Sequence, residues 1–136
     1  MSMDRFFDIA AEPMVCGVTD CCIAVRVAIQ DKFGIDLMSG GRDKYRTPRQ
    51  AIKEAKRRGN RNVGEAIIQA AREAGFKDAV GDPIDWDIGI VRYFDSETKK
   101  EEFAPAIFIK GFWMVRTHGG AEAMKADPKG VLRYGV

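Results

Sequence analysis

Cys16-Gly17-Val18-Thr19-Asp20-Cys21-Cys22 is a short polar turn that runs directly into an apolar segment reaching Phe33. Between Cys21 and Ile29 the only charged side chain is Arg26, so the segment has helical length and is apolar on nearly every face. That combination marks a central, buried helix. Thr19 or Asp20 supplies its N-cap, because either side chain can accept from the unpaired N–H groups of the first turn, and Gly34 closes it as a C-terminal cap. Cys21 then stands at the positive end of the helix dipole, where the thiolate, the nucleophilic form, is favoured. Cysteine is also a small and often buried hydrophobe, and the sequence leaves both readings of Cys21 open. Cys22, Ile23 and Val25 read as core.

The 136 residues make one domain, 1–136, large enough to bury a core without disulfides or metal. A net charge of +2 favours neither wholesale nucleic-acid binding nor disorder. No apolar run of about 18 residues is present, and Asp4, Arg5 and Asp8 interrupt the N-terminal stretch. Neither a membrane span nor a signal peptide is expected. Cys16, Cys21 and Cys22 are an odd set whose spacing suggests no disulfide framework. The single histidine, His118, is far from them in sequence. With no zinc-spaced Cys/His cluster, no metal and no cofactor is expected.

Working outward, residues 4–11 read as a short amphipathic helix ended by Pro13, with Phe6, Phe7 and Ile9 as core contacts. Thr47-Pro48 opens another helix that buries Ala51, Ile52 and Ala55 and runs to Gly59. Asn62-Val63-Gly64-Glu65 opens a third, with Ala66, Ile67, Ala70 and Ala71 inside and Gly75 closing it. Beyond Gly75 the apolar period changes. Residues 86–93, 106–110 and 112–117 read as strands, the first two joined by an exposed polar loop at 95–102, and 131–134 as a last short strand. Helices first and an antiparallel meander afterwards predict an α+β domain, N-terminal helices packed on a small sheet formed by the C-terminal half.

Between Arg42 and Arg61 nine basic residues stand against Asp43 and Glu54, a stretch of +7 that leaves the remainder at −5. A basic helix face carrying Arg42, Arg46, Arg49, Lys53, Arg57 and Arg58 can meet phosphates or an acidic partner protein. Only Tyr45 interleaves as an aromatic, which disfavours nucleic acid.

Taken together, Gly17-Val18-Thr19-Asp20-Cys21-Cys22, Phe33-Gly34-Ile35-Asp36, Gly41-Arg42-Asp43-Lys44-Tyr45-Arg46-Thr47, Trp86-Asp87-Ile88-Gly89-Ile90-Val91, Ala106-Ile107-Phe108-Ile109-Lys110-Gly111 and Val131-Leu132-Arg133-Tyr134-Gly135 resemble the NlpC-type papain-like cysteine peptidases. More closely, they are similar to a group of small phage and prophage proteins of that superfamily. The resemblance implies a papain-like fold, a nucleophile at Cys21, a base from a histidine at the start of the second meander strand, and a polar third residue on the next strand. This chain departs from that pattern, since the expected histidine falls at Ala104, Pro105 or Ala106, none of which takes a proton. His118, in the turn after the third strand, is the only imidazole available to replace it, with Asp20 or Asp87 as residues that could orient it. Asp20 is better explained as a cap and Asp87 as a strand-end residue.

Loss of general-base help removes about a hundred to ten thousand fold in turnover while leaving a fold intact. The resemblance therefore implies a structural piece of a phage tail tip or baseplate, located in the virion tail and assembled in the host bacterial cytoplasm. Its partners would be other tail proteins, the tail-tip hub and the distal tail protein, with peptidoglycan as a further ligand. The alternative is an active cysteine peptidase or amidase on peptidoglycan peptides, using Cys21 and His118.

Overall fold

The computed structural model describes residues 3–135, so that Met1, Ser2 and Val136 of the expected single domain lie outside it. Four helices come first: α1 (Asp4–Ala11), α2 (Cys21–Phe33), α3 (Pro48–Arg57) and α4 (Val63–Glu73). Six strands follow: β1 (Phe76–Asp78), β2 (Ile88–Asp95), β3 (Lys100–Ile109), β4 (Phe112–Thr117), β5 (Gly120–Met124) and β6 (Lys129–Tyr134). They form one antiparallel sheet in the order β1-β6-β2-β3-β4-β5. The architecture is α+β, as the segregation of helices and strands predicts.

The residues flanking each helix explain where it begins and ends. Asp20 caps α2 by accepting from the Ile23 N–H at 3.0 Å, and Gly34 ends it in the left-handed region at φ +71°. Thr47 and Asn62 cap α3 and α4 in the same way, accepting from the Gln50 and Glu65 N–H groups. Helix α2 buries Cys22, Ile23, Ala24, Val25, Val27, Ala28 and Ile29, so burial surrounds it almost completely. Arg26, the one charge before its last turn, is held by Asp36 through two hydrogen bonds of 2.9 and 3.0 Å and by Asp43 at 3.1 Å. Burial pushes the Asp36 carboxyl up, but the guanidinium and the Met38 N–H outweigh it and hold the group below the usual carboxylate range.

Two apolar clusters result. In the larger, α2 and α4 lie over Phe76, Ile88, Ile90, Ile107 and Leu132 of the sheet, with Phe6 of α1 beside them. The smaller gathers Val91, Ala104, Ala106, Trp113 and Val115. Trp113 fits because Gly89 lies beneath it: a Cβ at Gly89 would come within 3.2 Å of the indole and 3.1 Å of Pro128.

Several boundaries differ from the sequence reading. The expected loop at 95–102 is half strand, since β2 runs to Asp95, β3 begins at Lys100, only 96–99 are turn, and the two strands pair from Ile88↔Ile107 to Asp95↔Lys100. Arg92, Phe94, Glu101 and Phe103 are exposed, so this ribbon lacks the apolar-in, polar-out alternation that marks a half-buried strand. β1 and β5 were not expected. They are short edge strands, and the β5 sequence Gly-Ala-Glu-Ala-Met has almost no β-branched or aromatic content. β6 does not extend the meander but returns to lie between β1 and β2. Phe7 and Ile52, expected in the core, are each 45% exposed. Phe6 is buried as expected, joined by Ala10 and by Met3 just before α1, and Ile68 is more deeply buried than Ala66. Among the described residues no helix is long and apolar enough to cross a membrane.

Candidate functional site

The turn before α2 is pinned from two directions. Asp20, 7% exposed, accepts from the Ile23 N–H with one carboxylate oxygen and from the Gly17 N–H (2.7 Å) and the Tyr45 hydroxyl (2.8 Å) with the other. Gly17 must be glycine: its φ is +81°, and a Cβ would lie 2.1 Å from the Tyr45 carbonyl oxygen. Thr19 closes the turn locally, accepting from the Val15 N–H and donating to the Pro13 carbonyl. From the sheet side Arg116 of β4, 1% exposed, donates to the main-chain carbonyls of Thr19, Ala10 and Glu12. Burial pulls the Arg116 guanidinium below its ordinary range, and neighbouring Cys21, Asp20 and Tyr93 pull the other way.

Cys21 is the first residue of α2, partly buried, and touches both apolar clusters. Recorded pairing between β3 and β4 covers only Ile107↔Met114 to Ile109↔Phe112. Ala104 and Val115 therefore lie beyond those three pairs, in the cluster against which Cys21 packs. All three cysteines are free. The Cys16 thiol is pushed up to about 11, by burial first and then by Asp20 and Cys21. The fully buried Cys22 thiol is also raised, through its hydrogen bond with Cys21 and then by burial.

His118 follows β4 in the turn to β5, its side chain 39% exposed. Its Nδ1 lies 3.0 Å from Oδ2 of Asp95, the last residue of β2, whose side chain is 4% exposed. The other Asp95 oxygen accepts from the Glu97 N–H (2.8 Å) and the Thr98 N–H (3.1 Å). Burial alone would raise the Asp95 carboxyl, but the imidazole and these two N–H groups prevail and hold it below its ordinary value. Among the described residues no hydrogen bond joins His118 to Cys21. The Tyr93 hydroxyl is raised by burial first, then by Cys21, Asp95, Glu102 and Glu122.

The structure thus brings Cys21 and Asp20 together and gives His118 a partner that sequence reasoning did not assign. Asp20 is spent on the cap, Gly17 and Tyr45. Asp87, 1% exposed, is spent on Arg133, with two bonds of 2.8 Å, and on the Ile84 N–H. The residue that orients the imidazole is Asp95. Its only sequence signal is its place in Asp-Ser-Glu-Thr, a turn-forming run with nothing to link it to His118. Asp95, Glu97 and His118 also place one metal-ligating atom each within 4.8 Å of one another, a grouping that local spacing could not reveal.

A family model described as a domain of unknown function (DUF6950) matches residues 4–127. The chain belongs to that family. No curated protein and no solved structure matches it. The matched span of the DUF6950 domain contains Cys21, Asp95, Arg116 and His118.

The basic stretch of this DUF6950 domain is largely committed to its own fold. Arg42 pairs with Glu73 at 2.8 Å, Arg57 and Arg58 both hold Glu54, and Arg61 holds Glu65. Arg46 donates to the Asp43 and Tyr45 carbonyls. Arg49 and Lys53 remain exposed on α3. Glu73 and Glu65, which lie outside the +7 stretch, offset two of its charges.

One pH dependence follows. Arg57 and Arg58 lower the Glu54 carboxyl to about 2 from its ordinary value of 4.5. A carboxylate whose folded value is depressed contributes stability that is fully present above its unfolded value and lost as pH falls through the folded one. Glu54→Gln should therefore have a lower Tm than the natural protein at pH 6, with the gap closing as the pH approaches 2. Thermal melts at a series of pH values check this, and a gap that stays constant would contradict it. Solvent screening keeps the effect small.

Proposed function

We propose that this DUF6950 domain is a structural component of a phage tail tip or baseplate, built on a degenerate NlpC-type papain-like fold and without catalysis. One observation carries the reading: Cys21 heads the central helix, yet the buried members of the sheet-side cluster it touches are Val91, Ala104, Ala106, Trp113 and Val115, none of which takes a proton, and among the described residues no hydrogen bond joins it to His118. Ala104 and Ala106 occupy the strand position at which the peptidases it resembles place their histidine. A thiol in such surroundings is a packing group, and the hydrogen bonds around Asp20 and Arg116 keep the shape of the turn whether or not chemistry occurs there. Partners would then be the tail-tip hub and the distal tail protein, in the virion tail, after assembly in the host bacterial cytoplasm. Tagged protein should co-purify with virions banded from an induced lysate and cross-link to tail proteins. Recovery only in the phage-free soluble fraction would contradict the reading.

A second reading is favoured by the His118–Asp95 pair. A carboxylate on Nδ1 sets the tautomer and orientation of an imidazole and leaves Nε2 to act as base, the arrangement a cysteine peptidase or amidase needs. In that reading His118 Nε2 takes the Cys21 proton, the thiolate attacks a peptidoglycan amide, and Asp95, in place of Asp20 or Asp87, is the orienting residue.

A further inference from the structure

The pair formed by His118 and Asp95 has a third member that neither reading of Cys21 uses. The geometry points to a binding site for a divalent transition metal of the zinc class, formed by His118 Nδ1, Asp95 Oδ2 and the Glu97 carboxylate at the neighbouring β2–β3 and β4–β5 turns. The Nδ1 and Oδ2 atoms are 3.0 Å apart, and His118, Asp95 and Glu97 each place a ligating atom within 4.8 Å of the other two. Around a tetrahedral zinc with bonds of roughly 2.0 to 2.2 Å, ligand atoms stand about 3.3 Å apart. Only Glu97, exposed and free to change rotamer, has far to move.

The surroundings fix the other two ligands. Asp95 is buried, and its second oxygen is tied to the Glu97 and Thr98 N–H groups, so Oδ2 is aimed at the imidazole while the Glu97 backbone is held beside it. Such hydrogen bonds to a ligating carboxylate orient it and sustain affinity. The charge also suits a cation. Two of the three ligands are carboxylates, and the buried one is hydrogen-bonded at both oxygens. Asp95 Oδ2 and His118 Nδ1 already face each other, and the metal would take the place of the proton between them, which passes to solvent. One imidazole with two carboxylates selects zinc-like ions over Mg²⁺, which prefers oxygen and keeps its water. Three protein ligands leave a coordination position for water or for a side chain from a neighbouring protein.

His118 is the only imidazole in the chain, so its ring nitrogens can be followed without ambiguity by ¹⁵N NMR on the full-length protein. Titration with ZnCl₂ should move the Nδ1 resonance to saturation near one equivalent, while MgCl₂ leaves it in place. Glu97→Ala changes an exposed turn side chain and should fold normally. It should raise the zinc concentration at half-shift by at least about tenfold. Ring resonances that do not move up to a tenfold excess of zinc would overturn the proposal, because any binding would then belong to the thiols. An unchanged titration in Glu97→Ala would also overturn it, reducing the site to a lone imidazole.

Discussion

Arg116→Met should cost about 3 kcal/mol or more of folding stability, and the reason lies in what the side chain leaves behind. Two effects oppose each other. Removing a buried charge relieves a desolvation penalty, and replacement of buried charges by well-packed apolar groups is often neutral or favourable. Here the guanidinium satisfies the carbonyls of Ala10, Glu12 and Thr19, two of those bonds buried, and a thioether can donate to none of them. Each orphaned buried acceptor costs about 1–3 kcal/mol, so the sum exceeds the relief. Arg116→Lys keeps the charge but lacks the planar fork that reaches three acceptors, and should fall between the two. Urea unfolding measures this as a lower midpoint at unchanged slope. An Arg116→Met protein within about 0.5 kcal/mol of the natural one would show that Arg116 does not hold residues 10–19 against the sheet.

Asp20→Ala should be nearly as damaging. Loss of an N-cap costs about 1–2 kcal/mol, and the deletion also strands the buried Tyr45 hydroxyl and the Gly17 N–H. An unsatisfied buried donor adds about 1–3 kcal/mol, for an expected total near 3 kcal/mol. Asp20→Asn separates the contributions. Its amide oxygen can still cap α2, but its NH₂ cannot accept from Gly17 and Tyr45 together, so stability should be restored only in part. Equal stability of the Asn variant and the natural protein would mean that the shared oxygen contributes nothing beyond the cap.

The central helix was legible in the sequence because its signals are local: Asp20 before it, Gly34 after it and a single charge between Cys21 and Ile29. The same holds for α3 and α4, whose caps lie next to their apolar residues. Local signals fail where a structure depends on distant partners. β1 has three residues and exists because β6 returns to it, while β5 is a small-residue edge that only β4 pairs. The candidate site divides in the same manner. Cys21 is announced by its helix, and the absence of a histidine near Ala104 is readable directly. Asp95, 23 residues before His118, becomes its partner only once β2 and β4 lie in one sheet. Arg116 reads as a strand residue until its reach across 106 positions to Ala10 is seen.

The central claim is that the thiol at the head of α2 has no working base. It is tested most directly by incubating the full-length protein with purified peptidoglycan and with a D-glutamyl peptide, and quantifying released amines for the natural protein, Cys21→Ala and His118→Ala. The account predicts no turnover above the no-protein control in any of the three. Turnover by the natural protein that disappears in both variants would contradict it and establish the Cys21–His118 peptidase in its place.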